Sequence, residues 1–245
     1  MRFFILFFLV ILIMIPPAMA KSGGGQKTGD QKKLDIGVTV GGSRDTGNTE
    51  TSKARLSVDS TYRADWAVSE FKSLYQYEEK SGKANQNRLE LELKESLPTI
   101  SRWAPFVTNS FTWDEIKGVD YDNNTGAGVK YLLVSKKDRE ISLSGSILYQ
   151  VLKYEEQKKE SNAAYALESS LKWGRGDLKL MIDLYYQASA EDGENYKYNS
   201  DFRLTYFLTS ILGVSAEFSS RYRNITPEGA PKLDTTTVFS VTLAY

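Results

Sequence analysis

Glu90 and Glu92 stand two residues apart, a spacing that puts both carboxylates on one face of a strand, and paired carboxylates are what glycoside hydrolysis requires. Arg88 and Lys94 flank them at the same parity, so a ladder of ion pairs accounts for all four side chains better than catalysis does. Asp120, Asp122 and Asn124 resemble the opening of a calcium loop. The match then fails, because the sixth and twelfth positions, where such a loop needs Gly and a bidentate Glu, are Thr125 and Tyr131. Gly126-x-Gly128 is no nucleotide fingerprint either, since it lies in a strand pattern with no helix after it; small residues there predict close packing or a bend in a sheet. The Asn-x-Thr triplets at Asn123 and Asn224 would matter only in a glycosylating secretory pathway. The chain has no His and no Cys. That removes disulfides, imidazole and thiolate metal sites, and the His-dependent chemistry of barrel-shaped phospholipases and omptin-type proteases. The expectation is a protein that is not an enzyme, with no catalytic, cofactor-binding or metal site.

Of 245 residues, 41% are hydrophobic and 25% charged, with a formal net charge of +0, so there is no basic field to draw nucleic acid. At the N-terminus Arg2 precedes an apolar run from Phe3 to Ile15, then Pro16-Pro17 and the small-x-small sequence Ala18-Met19-Ala20. This order predicts a secretory signal peptide over residues 1–20, because the run is shorter than the roughly 20 residues a spanning helix needs. A Gly-rich leader, residues 21–32, follows.

From Leu34 onward the period is two. Leu34, Ile36, Val38 and Val40 alternate with Asp35, Gly37, Thr39 and Gly41, and the pattern returns in Leu178, Leu180, Ile182 and Leu184 and in Phe239, Val241, Leu243 and Tyr245. Counted along residues 33–245, such segments number about twelve, each near the roughly 9–11 residues of a tilted membrane-crossing strand. Brief turns at Arg63-Ala64-Asp65, Pro98 to Arg102, Ser135 to Arg139, Gly174 to Gly176 and Thr209-Ser210 alternate with longer connections, including Glu78 to Asn87 and Asp114 to Asn123. The prediction is all-β: a closed antiparallel transmembrane β-barrel in a Gram-negative type outer membrane, with both termini periplasmic. Aromatics gather in two rows. Trp66, Trp103, Trp173 and Tyr206 lie near the brief turns, and Tyr77, Trp113, Tyr149, Tyr186, Tyr198 and Tyr222 near the longer connections. A soluble β-sandwich is the competing fold, since it uses the same alternation to bury one face against a second sheet.

If the apolar set faces lipid, the opposite parity faces the lumen. The candidate lumen-lining residues are Arg55, Asp59, Lys72, Arg88, Glu90, Glu92, Lys94, Lys130, Glu168, Asp183, Asp201, Arg203, Glu217 and Arg221. Acids and bases nearly balance, which argues against a dedicated anion channel. Twelve strands at a tilt near 40° imply a backbone cylinder about 24 Å across. Long charged side chains would either leave a passage about 12 Å wide or close it through ion pairs.

Gly41 to Leu56, GGSRDTGNTETSKARL, resembles the opening motif and second strand of the YdiY-like family of salt-induced outer membrane proteins, and Asp120 to Leu133, DYDNNTGAGVKYLL, is similar to a Gly-x-Gly-x-x-Tyr strand of that family. The resemblance implies a barrel, an outer-membrane location and an association with salt or osmotic conditions. It supplies no ligand and no catalytic residue. Residues and resemblance together predict a porin-like barrel acting as a narrow or gated channel for small solutes or ions. The alternative is a non-conducting structural or surface-recognition barrel. The expected partners are outer-membrane lipid, lipopolysaccharide, and the outer-membrane assembly machinery, whose signal the terminal Tyr245 resembles.

Overall fold

The computed structural model describes residues 34–45, 51–155, 159–226 and 232–244. The expected signal peptide, the leader and Tyr245 lie outside the described residues. Twelve strands follow one another: β1 (Leu34–Asp45), β2 (Thr51–Arg63), β3 (Val68–Lys80), β4 (Lys83–Ser96), β5 (Trp103–Asp114), β6 (Val119–Lys136), β7 (Arg139–Tyr154), β8 (Glu160–Arg175), β9 (Leu178–Ser189), β10 (Tyr196–Phe207), β11 (Leu212–Arg223) and β12 (Leu233–Ala244). Each pairs antiparallel with its sequence neighbours, and β1 pairs with β12 from Gly37↔Ala244 to Gly41↔Ser240, so the sheet closes into a barrel. Closure leaves no free strand edge, and among the described residues no second sheet packs on the first, which overturns the sandwich.

Alternation sorts the side chains between the two faces, and the sorting is inverted relative to a water-soluble protein. The buried positions are mostly Ser, Thr, Arg, Lys, Asp and Gln, whereas Ile147 (75% exposed), Phe239 (71%), Leu167 (59%) and Val107 (55%) point outward. A surface of this kind is stable against hydrocarbon, where closed pairing also satisfies every strand N–H and C=O internally. The aromatic rows lie where alternation put them: Trp103 packs on Tyr131 with ring centroids 4.5 Å apart near the short turns, and Tyr198 stacks on Tyr222 at 4.8 Å near the other end.

Two connections are shorter than their composition predicts. The polar run from Glu78 to Asn87 predicts a long loop, but β3 and β4 run on as a hairpin closed by Ser81 (φ 50°) and Gly82 (φ 75°) alone. Positive φ at both central positions is the turn whose twist matches the paired strands. The apolar signal disappears there because nearly every residue of this extension is polar, on both faces, although the backbone stays paired. Asp114 to Asn123 is likewise mostly strand, with Lys117 and Gly118 in a turn between β5 and β6. Gly126 and Gly128 on β6 do serve close packing. A Cβ at Gly128 would lie 2.6 Å from Phe106 Cζ and collide with the Gly145 carbonyl oxygen, and one at Gly126 would collide with the Ile147 carbonyl oxygen.

Candidate functional site: the charged lumen

Register alone assigns the interior. Arg55 pairs with Gln76, Asp59 with Lys72, Glu92 with Ser110 and Arg203 with Glu217, and side chains of directly opposite residues share a face. Arg55, Asp59, Lys72, Arg88, Glu90, Glu92, Lys94, Glu168, Asp183, Asp201, Arg203, Glu217 and Arg221 line one cavity of about 230 Å3. Lys130 lines a second of about 20 Å3 nearer the short turns, room for roughly one water. Lys72, Glu92, Lys94, Ser144, Glu168 and Asp183 border both cavities and therefore form the partition between them.

The partition is made of ion pairs that cross the barrel. Lys94 on β4 reaches Glu168 on β8 at 2.6 Å and Glu92 at 3.7 Å. Its ammonium also sits 4.9 Å from the Phe106 ring centroid, and Phe106 is seated against Gly128. Lys72 on β3 meets Asp183 on β9, the strand opposite in the ring, at 3.8 Å. Below them Glu70 takes Lys130 at 3.6 Å and Lys172 at 3.9 Å. Among the described residues the closed sheet alone holds these groups, and their reach across the interior comes from side-chain length.

Above the partition two further clusters tie together strands that are not neighbours in the ring. Arg221 on β11 contacts Glu90 on β4 at 3.4 Å and Asp201 at 2.9 Å, while Arg88 contacts Glu90 at 2.7 Å and Asp114 at 3.5 Å. Glu217, 2% exposed, takes Arg55 at 2.9 Å, Arg203 at 3.3 Å and a hydrogen bond from Ser240 Oγ at 2.8 Å; Arg203 also holds Asp59 at 3.1 Å. The arginines thus pair across the lumen with Glu90 and Glu217, and Asp183 takes a lysine instead.

The most buried acid, Asp122 on β6, was not among the expected lining residues. It is fully enclosed and accepts from Lys197 Nζ at 2.9 Å, Gln150 Nε2 at 2.7 Å, Asn124 Nδ2 at 3.0 Å and the Arg223 guanidinium. Gln187 bonds Asn124 Oδ1 at 2.8 Å and extends the cluster. Parity could have found it: Asp122, Asn124, Gly126 and Gly128 share the inward face with Lys130, just as Arg223 shares it with Arg221. At the mouth Lys117, in the β5–β6 turn, spans to Asp234 on β12 at 2.7 Å beside a small apolar cluster of Val119, Leu152 and Tyr154. Among the described residues no group of His, Cys, Asp and Glu has the arrangement of a metal site. Chemically the lumen is a set of paired, mostly buried charges around one cavity with room for many waters and a second with room for about one.

Among solved structures, the NanC porin superposes with a TM-score of 0.53 at 10% identity, covering 86% of this chain and 98% of that one. An outer membrane channel from Pseudomonas putida F1 does so at 0.50 and 13% identity, covering 92% and 100%. At such identities the likeness is one of fold. No curated protein sequence matches the chain. A family model covers residues 38–245, nearly all of the barrel, and the chain belongs to that family, described as Protein of unknown function, DUF481.

Proposed function

We propose that this protein is a non-catalytic outer-membrane barrel that acts as a narrow, gated channel, closed at rest by ion pairs and opened when its partition loosens. The observation that carries the reading is the layer of Lys72, Lys94, Glu168 and Asp183, which joins β3 to β9 and β4 to β8 and lies between the two cavities of the lumen. An apolar exterior and a closed sheet support the membrane location, with the short turns and both ends of the barrel sequence on the periplasmic side. Water and small ions are the solutes that gaps of this size would pass.

A link to salt follows from unequal shielding. The Lys94–Glu168 pair is short and its lysine almost covered, whereas Lys72–Asp183 and Lys172–Glu70 are long, at 3.8 and 3.9 Å, with lysine side chains 42% and 51% exposed. Exposed pairs are screened far more than buried ones, so rising ionic strength weakens the partition at its periplasmic side first. Flux of a small-ion dye through reconstituted vesicles should rise more steeply with salt than the bulk conductivity does, and Lys72→Gln should flatten that rise. A salt-independent flux, or a K72Q protein that behaves as wild type, would contradict this gating.

The bridge from Lys117 to Asp234 across the mouth favours a second reading, a non-conducting barrel whose outer connections contact lipopolysaccharide. Shortening the Lys153 to Ser161 connection should then abolish lipopolysaccharide binding in a vesicle pull-down while leaving dye flux at background. The terminal Tyr245 is proposed as the contact for the assembly machinery, and its deletion should lower the amount of folded barrel recovered from outer membranes.

A further inference from the structure

The outward wall of β5 and β6 carries a polar cluster where hydrocarbon is expected. Opposite-residue pairing puts Asn109, Asn123 and Thr125 on the same face as Val107, Phe111 and Trp113, away from the lumen. Asn109 Nδ2 donates to Thr125 Oγ1 at 2.7 Å and lies 3.4 Å from Asn123 Oδ1, and Thr125 Oγ1 reaches Asn123 Oδ1 at 3.3 Å. These bonds leave Asn109 Oδ1 and Asn123 Nδ2, one acceptor and one donor, without a partner among the described residues. Trp103 and Trp113 mark the two aromatic rows on β5, and the strand between them rises about 25 Å at a tilt near 40°, the height of an apolar band. Asn109 sits about 15 Å up that rise, too deep for lipid headgroups or water to satisfy its amide. The cluster is ringed by Leu91, Leu93, Val107, Phe111, Tyr149 and Val151, and Ala127 lies beside it on the exposed wall between Val107 and Ile147.

We propose that this wall is where a second copy of the same chain docks, side by side in the membrane, in a two-fold dimer. The proposal rests on the membrane-spanning reading of the barrel. Copies inserted the same way carry the cluster at the same depth, whereas any other protein would need a polar patch matched to it by chance. An axis along the membrane normal brings Asn123 Nδ2 of each copy to Asn109 Oδ1 of the other, the reciprocal contact of a two-fold interface. An unpaired amide in lipid becomes a paired one, surrounded by apolar side chains that exclude water from it.

The sequence contains no Cys, so single-cysteine reporters are unambiguous. Ala127→Cys marks the proposed interface, and Val241→Cys, on exposed β12 opposite β6 in the ring, marks the far wall. In vesicles at low protein-to-lipid ratio, oxidation should give a disulfide dimer for A127C and none for V241C. Adding Asn109→Leu and Asn123→Leu, which suit the lipid face and preserve folding, should weaken association about tenfold if two hydrogen bonds of typical membrane strength are lost. No A127C dimer, equal crosslinking at both positions, or a dimer indifferent to the two leucines would overturn the proposal. Flotation of the same vesicles separates the two readings: protein that fails to float with lipid refutes the membrane assignment itself, and the dimer with it.

Discussion

Replacing Asp122 by Asn changes no volume and removes one charge from the tightest cluster in the lumen. Asp122 is wholly enclosed, and its carboxylate holds two cations: Lys197, with no other ion-pair partner among the described residues, and Arg223, whose remaining side-chain contact is the Tyr154 hydroxyl at 3.3 Å. The amide can still accept at one oxygen but presents N–H to donors at the other, and it leaves both cations without a counter-charge. Breaking a buried pair by removing one partner costs about 3–5 kcal/mol, and two stranded cations place D122N toward the upper end. Urea unfolding in phospholipid vesicles, followed by tryptophan fluorescence and heat-dependent gel mobility, measures the loss. Asp120→Asn is the control, because its partner Lys153 is on the solvent side and the pair should contribute little. Adding Lys197→Met to D122N should recover part of the loss, since one of the two stranded charges is gone. A D122N protein within about 1 kcal/mol of wild type, the size expected for an exposed pair, would refute the claim that this cluster is buried and structural.

Three further substitutions address the wall and its turns. Gly128→Ala should cost about 1–3 kcal/mol by urea titration, because the new Cβ meets Phe106 and the backbone of β7 with nowhere to shift. Gly82→Ala should cost about 1–2 kcal/mol in the same titration, at a φ of 75° that L residues avoid, while leaving the barrel closed by gel mobility. Leu167→Arg, at a position 59% exposed, would be harmless on a soluble surface but should cost about 2–4 kcal/mol in vesicles, so an unchanged folding free energy there would remove lipid from that face.

Alternation made the barrel legible. A strict period of two over segments such as Leu178–Leu184 leaves one choice of faces, and the inward set named by parity alone lies in the lumen because a closed sheet has no other place for it. What alternation could not give is partner choice. Lys72 and Asp183 lie on opposite strands of the ring, and nothing local in the sequence says that their side chains meet rather than point up or down the lumen. Asp122 hides from sequence reasoning because Asp and Asn near a turn signal read as loop residues, and Glu78 to Asn87 reads as loop because the hairpin that extends β3 and β4 has no apolar stripe. At both places the chain is paired as a strand without an apolar outward face to announce it.

Single-channel current across a planar bilayer tests the ion-pair closure most directly, using wild type and a variant in which Lys94→Ser and Glu168→Ser remove the best-covered pair of the partition together, taking away one charge of each sign and releasing Glu92 from its 3.7 Å contact with Lys94. The wild type should show current near background at low salt, and the double variant should show sustained open steps, since the two cavities would merge. A wild type that is openly conducting at low salt, or a double variant as silent as the wild type, would contradict the account.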